Sequence, residues 1–127
     1  MFEQRTQFTF DAAHNLAANV RDETEKGVAH PYAHVHGHSF VATVILCADR
    51  IEDKGWIADF ATVRAECAEA KKALDHQFLN DVEGLENPTL ERLAEWIYMR
   101  LKPKLPQLVR IEVERPTLHE MAAFYEA

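Results

Sequence analysis

Three histidines, His34, His36 and His38, fall within five residues of chain, and the apolar run Phe40 to Leu46 follows at once. Read as a strand, this stretch sends side chains two apart to the same face. His36 and His38 then stand side by side, and together they can bind one zinc ion through bonds of about 2.0–2.1 Å. His34 has the same parity and is an alternative ligand. Gly37 leaves the opposite face bare, so another backbone or a ligand can approach there. An adventitious surface patch would have the same spacing, so a third ligand from elsewhere in the chain has to separate the two readings.

His14 is the candidate for that third ligand. Phe2, Thr6, Phe8 and Phe10 alternate with Glu3, Arg5, Gln7 and Thr9, the period of a strand. The even parity continues through Ala12 to His14. A histidine at the end of an apolar face is ordinarily a packed core residue. Beside an incomplete His36/His38 pair, it gains weight as a ligand. Asp75-His76 is a second place for chemistry, because a carboxylate beside an imidazole raises its basicity and fixes its tautomer. A histidine closing a helix is also what the helix dipole favours. Glu114 ends a strand on its polar face, where most glutamates are simply solvated. Tyr32 and Tyr125 are undecided on the same grounds.

The chain has 127 residues, enough for one domain (1–127) with a real core and too few for two. Its formal net charge of −7 and the absence of a Lys/Arg cluster disfavour nucleic acid as a partner. An anionic small substrate remains compatible, since a local site can be positive in a negative protein. Cys47 and Cys67 match no metal or redox spacing, and buried thiols are expected for both. There is no apolar signal core at the N-terminus and no stretch of membrane-spanning length, so a soluble cytoplasmic protein without a membrane partner is expected.

These residues need elements to position them. Residues 15 to 33 read as a long polar excursion between two strands, a length often tied to function. Phe40 to Cys47 is apolar or small on both parities, a strand covered on both faces. Asp59 can cap a helix bearing Phe60, Val63, Cys67, Ala70 and Leu74 at helical spacing and ending near Asp75-His76. Thr89 can cap a second, with Leu90, Leu93, Ala94, Ile97 and Leu101 as its stripe and Pro103 as its stop. From Leu108 to Glu114, Val109, Ile111 and Val113 take one face, and Arg110, Glu112 and Glu114 the other. Met121 to Tyr125 reads as a last short strand. The order β-β-α-α-β-β predicts an α+β fold, an antiparallel sheet with two helices on one face.

Six segments together resemble the 6-pyruvoyltetrahydropterin synthase / 6-carboxytetrahydropterin synthase family over nearly the whole chain. They are Phe10 to His14, His36 to Phe40, Gly55 to Phe60, Leu74 to Asp81, Asn87 to Glu91, and Val113-Glu114. The likeness is greatest to the bacterial 6-carboxytetrahydropterin synthases of queuosine (7-deazaguanine) biosynthesis. It implies the tunnelling fold, with subunits assembled into an oligomeric barrel, commonly a homohexamer. It implies Zn2+ held by His14, His36 and His38, and 7,8-dihydroneopterin triphosphate as substrate. It also implies that Glu114 anchors the pterin ring, and that Asp75 and His76 relay protons in a site built across subunits. Three histidines leave coordination positions open, as a catalytic zinc requires. The family's usual catalytic base is a cysteine four residues before the first histidine of His-Gly-His. That position here is Tyr32. A phenol has an ordinary pKa of about 10 and a thiol about 8.5, so Tyr32 is the poorer base. His34 and zinc-bound hydroxide are the other replacements.

Overall fold

The computed structural model describes residues 1–17 and 31–127. In chain order the elements are β1 (Phe2–His14), β2 (His36–Ala48), α1 (Phe60–Leu74), α2 (Leu90–Leu101), β3 (Leu108–Arg115) and β4 (Glu120–Phe124). Short 3-10 turns lie at Pro31–Ala33, Leu79–Asp81 and Pro116–Leu118. The strands form one antiparallel sheet in sequential order, β1-β2-β3-β4. This is the expected β-β-α-α-β-β arrangement.

The long β1–β2 ladder runs from Phe2↔Ala48 to His14↔His36. Even-numbered residues of both strands therefore share a face, and on it Phe8, Phe10, Ala12, Phe40, Ala42, Val44 and Leu46 are buried. Phe10 and Phe40, directly opposite each other, stack with ring centres 4.9 Å apart. The helices close over this face with Val63, Cys67, Ala70 and Leu74 of α1 and Leu93, Ala94, Ile97 and Leu101 of α2. The opposite face is polar: Glu112 accepts from Arg110 Nε at 2.9 Å and lies 3.5 Å from Arg5 Nη1. Thr43 and Ile45 are buried beneath that lattice, which is why β2 is apolar on both parities.

Both helix starts follow from the sequence. The Asp59 carboxylate accepts from Ala61 N–H at 2.9 Å, and the Thr89 hydroxyl accepts from Arg92 N–H at 3.2 Å, each satisfying a donor that the first turn leaves unpaired. Two stripe positions differ from expectation. Phe60 is 44% exposed, because the first residue of α1 precedes the turn that faces the sheet. Val109 is 40% exposed, while Leu108 is fully buried. The register slips between Ile45 and Leu46, so Leu46 pairs with Leu108; the irregularity rotates the start of β3 and exchanges which residue points inward.

The excursion expected from Asn15 to Ala33 falls mostly on residues 18–30, outside the described residues. Its two ends are tied where they emerge: Leu16 N–H donates to the Tyr32 carbonyl at 2.7 Å. After α1 the chain runs along the free side of β1. His76 N–H donates to Asp11 O at 2.7 Å, Ala13 N–H donates to Gln77 O at 3.0 Å, and Phe78 bridges Ala13 in parallel. Among the described residues no helix is long and apolar enough to cross a membrane.

Candidate metal centre

His14 and His36 end their strands as direct partners, and His38 lies opposite Ala12, one step along the same face. The sheet therefore gathers the three imidazoles without help from a loop. Their candidate ligand atoms all lie within 4.8 Å of one another. His14 Nε2 and His36 Nε2 are 3.0 Å apart.

The remaining ring nitrogens show what this cluster accepts. His14 Nδ1–H donates to the Pro88 carbonyl at 3.0 Å, and His36 Nδ1–H donates to the His34 carbonyl at 2.8 Å. A carbonyl can only accept, so in each neutral ring the hydrogen sits on Nδ1 and Nε2 keeps its lone pair. Two lone pairs then face each other at a distance that is repulsive unless a cation stands between them. His38 Nε2 is buried with no hydrogen-bond partner among the described residues. Burial, then the charges of His14, Arg115 and His36, hold His38 down to about 4, and burial likewise lowers His14. Neutral imidazole is the form that binds metal. The backbone carbonyls that fix the two tautomers also hold the rings in place, as outer partners of metal-bound histidines do. The donor set suits a divalent ion of the zinc type.

His34 is exposed, lies outside the three-histidine group among the described residues, and meets His36 through its carbonyl. A pocket of about 340 Å³ opens beside the cluster, lined by Tyr32, His36, His38, Arg115, Leu118 and Glu120 among others. A second, open cleft of about 550 Å³ has Asp11, Gly37, Ser39 and His76 in its walls. A Cβ at Gly37 would meet only the Ala12 carbonyl, at 3.5 Å, an ordinary contact. Glycine there leaves the cleft floor open and is not required by a close backbone approach.

Of the other sequence candidates, His76 shares the open cleft with His38, and Glu114 faces away from the cluster. Asp75 and His76 sit on the side of β1 away from β2. Asp75 Oδ1 accepts from Asp11 N–H at 2.9 Å, and Oδ2 is 3.0 Å from His76 Nδ1. The Asp11 amide, then the His76 ring, hold the Asp75 carboxyl below its ordinary range. His76 has positive φ (59°) and a side chain 79% exposed, so the ring stands out at the cleft. Glu114 pairs with Val41 and Met121 and shares their face, opposite to that of the histidines.

Arg115 and Glu120, which pair with each other and line the histidine pocket, were not singled out from the sequence. The signal was present in part: Arg115 continues the parity of Ile111 and Val113, the apolar face, where a guanidinium is out of place without a task.

A model of the 6-pyruvoyl tetrahydropterin synthase family matches residues 3–127. A Synechocystis sp. protein named 6-carboxy-5,6,7,8-tetrahydropterin synthase is 35% identical over 113 residues, 84% of this chain and 81% of that protein. A Pyrococcus furiosus protein named dihydroneopterin monophosphate aldolase is 32% identical over 104 residues, 82% of this chain and 78% of that one. In structure, 6-pyruvoyl tetrahydropterin synthase from Caenorhabditis elegans superposes with a TM-score of 0.83 at 23% identity, over 99% of this chain and 96% of that one.

Proposed function

The chain belongs to the 6-pyruvoyl tetrahydropterin synthase family, and we propose that it is a zinc-dependent pterin lyase of the 6-carboxytetrahydropterin synthase type. The reaction takes up one water and converts 7,8-dihydroneopterin triphosphate to 6-carboxy-5,6,7,8-tetrahydropterin, with loss of triphosphate and release of the rest of the side chain as acetaldehyde. It belongs to the route to queuosine and other 7-deazaguanines. The observation that carries the reading is the convergence of the His14, His36 and His38 ring nitrogens, all within 4.8 Å of one another, in a chain of this family.

His14, His36 and His38 would hold the zinc. When bound, it supplies Lewis-acid polarisation of side-chain oxygens on the substrate, which makes the neighbouring carbon-bound proton acidic. The protein's own groups move the protons. Tyr32 lines the histidine pocket and is half exposed, and its phenol is the group in this chain where the family carries a thiol. Asp75 orients His76 by accepting from Nδ1–H, which leaves Nε2 as the proton acceptor at the open cleft. His76 and His38 both border that cleft. The homohexamer that the family resemblance implies, with sites at subunit interfaces, is part of this proposal.

A second reading has its own support. The Pyrococcus furiosus relative is named an aldolase acting on a dihydroneopterin monophosphate, and Tyr32 replaces the thiol here. Carbon–carbon cleavage of the pterin side chain would then yield 6-hydroxymethyl-dihydropterin.

Product mass separates the readings. The zinc-loaded protein is incubated with dihydroneopterin triphosphate and, separately, with the monophosphate. A carboxylated pterin supports the first reading and a hydroxymethylated one the second. Tight binding with no product from either substrate refutes both. Tyr32→Phe should lose turnover while zinc content stays unchanged; full activity in that variant removes Tyr32 as the base.

A further inference from the structure

We propose that Asn80 positions His14 for the metal, by extending the edge of β1 one rung past the ligand and tying it to the loop that orients the ligand's ring. The inference rests on the zinc reading above and adds to it a residue that sets the affinity of the site.

On the side of β1 away from β2, the alternate residues Asp11, Ala13 and Asn15 present backbone groups that the segment after α1 meets in turn. Asp11 N–H donates to the Asp75 carboxylate, and Asp11 O accepts from His76 N–H. Ala13 N–H donates to Gln77 O at 3.0 Å. At Leu79–Asp81 the segment turns into a 3-10 helix, whose bonds are internal: Asp81 N–H to Phe78 O and Val82 N–H to Leu79 O. The Asn80 side chain takes over on the strand edge. Its Oδ1 accepts from Asn15 N–H at 2.9 Å, and its Nδ2 donates to Asn15 O at 3.0 Å. A side-chain amide carries the same donor and acceptor types as a peptide group, so Asn80 supplies the next rung. Because an N–H only donates and a carbonyl only accepts, these partners also fix which way the amide points.

His14 stands between Ala13 and Asn15, on the last rung of the β1–β2 ladder. Past that rung, Leu16 N–H is held by the Tyr32 carbonyl on the β2 side, and Asn15 by Asn80 on the other. Asn80 Nδ2 also lies 3.4 Å from Glu86 O. Glu86 comes two residues before Pro88, whose carbonyl accepts from His14 Nδ1–H at 3.0 Å. One side chain thus joins the backbone beneath the ligand to the loop that holds the ligand's ring. Without it the strand end can fray, and the two supports of His14 can drift apart. Metal-site bonds keep to within about 0.2 Å of their ordinary lengths, so a loosened His14 binds more weakly.

The test is competition titration of the full chain with zinc alone, together with the visible spectrum at saturating cobalt. Outer partners of metal ligands contribute about 10–100-fold in affinity, so Asn80→Ala should weaken zinc by about tenfold or more. Its cobalt spectrum should change in band position or intensity, because the His14 bond is altered. Asn80→Asp keeps the acceptor and loses the donor, and it carries the same test should the alanine variant not fold. Val63→Ala is the control: it removes buried packing from α1 and none of these hydrogen bonds. It should lower stability and leave zinc affinity and the cobalt spectrum as in wild type. Wild-type zinc affinity in the folded Asn80 variants overturns the inference, as does an equal loss in Val63→Ala. A wild type that binds no stoichiometric zinc overturns the metal reading and this inference together.

Discussion

His38→Leu separates a metal ligand from a packing residue. His38 carries a buried ring nitrogen with no hydrogen-bond partner among the described residues. An orphaned buried polar atom costs about 1–3 kcal/mol, so leucine at this position should leave metal-free stability unchanged or raised. The zinc-bound protein should behave oppositely. A ligand at a thousand times its Kd stabilises the fold by about 4.1 kcal/mol. Unfolding entropy is about 2.1 cal/mol/K per residue, so 127 residues give about 270 cal/mol/K. Saturating zinc should therefore raise the Tm of wild type by about 15 °C and that of His38→Leu by only a small part of this. The assay is differential scanning calorimetry at fixed protein concentration, first with chelator and then with zinc. An equal zinc shift in both proteins refutes the ligand assignment. So does a metal-free loss of about 2–5 kcal/mol, the signature of a truncated core side chain.

Three further outcomes are expected. Thr89→Ala removes the cap of α2 and should cost about 1 kcal/mol, and should also weaken zinc binding, because the adjoining Pro88 carbonyl orients His14; calorimetry and zinc titration check the two effects. Asp75 is held below the ordinary carboxyl value of 3.8 in the fold, so its contribution is present above that value and is lost as pH falls through the lower, folded-state value. Asp75→Asn should flatten that acid limb in denaturation followed against pH. Burial pushes the Cys67 thiol up to about 11, whereas Cys47 is partly accessible; alkylation of the native protein followed by peptide mass should label Cys47 first.

The fold was legible where one element's pattern suffices. The alternation from Phe2 to His14, the stripes of both helices and the Asp59 and Thr89 caps all express local geometry. The histidine cluster was legible because period two puts His36 and His38 on one face and ends the other apolar face at His14. What was not legible depends on pairing between strands. Leu108 replaces Val109 in the core because of a register slip against β2. The last strand begins at Glu120, one residue before the expected Met121, because Glu120 pairs with Arg115. His34 serves through its carbonyl, a contact set by the backbone before β2. Glu114 falls on the face away from the histidines through the same register, which no single strand's sequence records.

The His14↔His36 rung is the last of the β1–β2 ladder, and a long segment separates its two halves in sequence. Slide one strand past the other by a single residue, and Gly37 stands opposite His14 while the imidazoles of β2 turn to the far surface. Only the correct alignment gathers all three rings, so cation binding would act as a vernier on strand alignment. Chains paired off by one notch would then fail to capture an ion, and metal content would serve as a readout of folding fidelity.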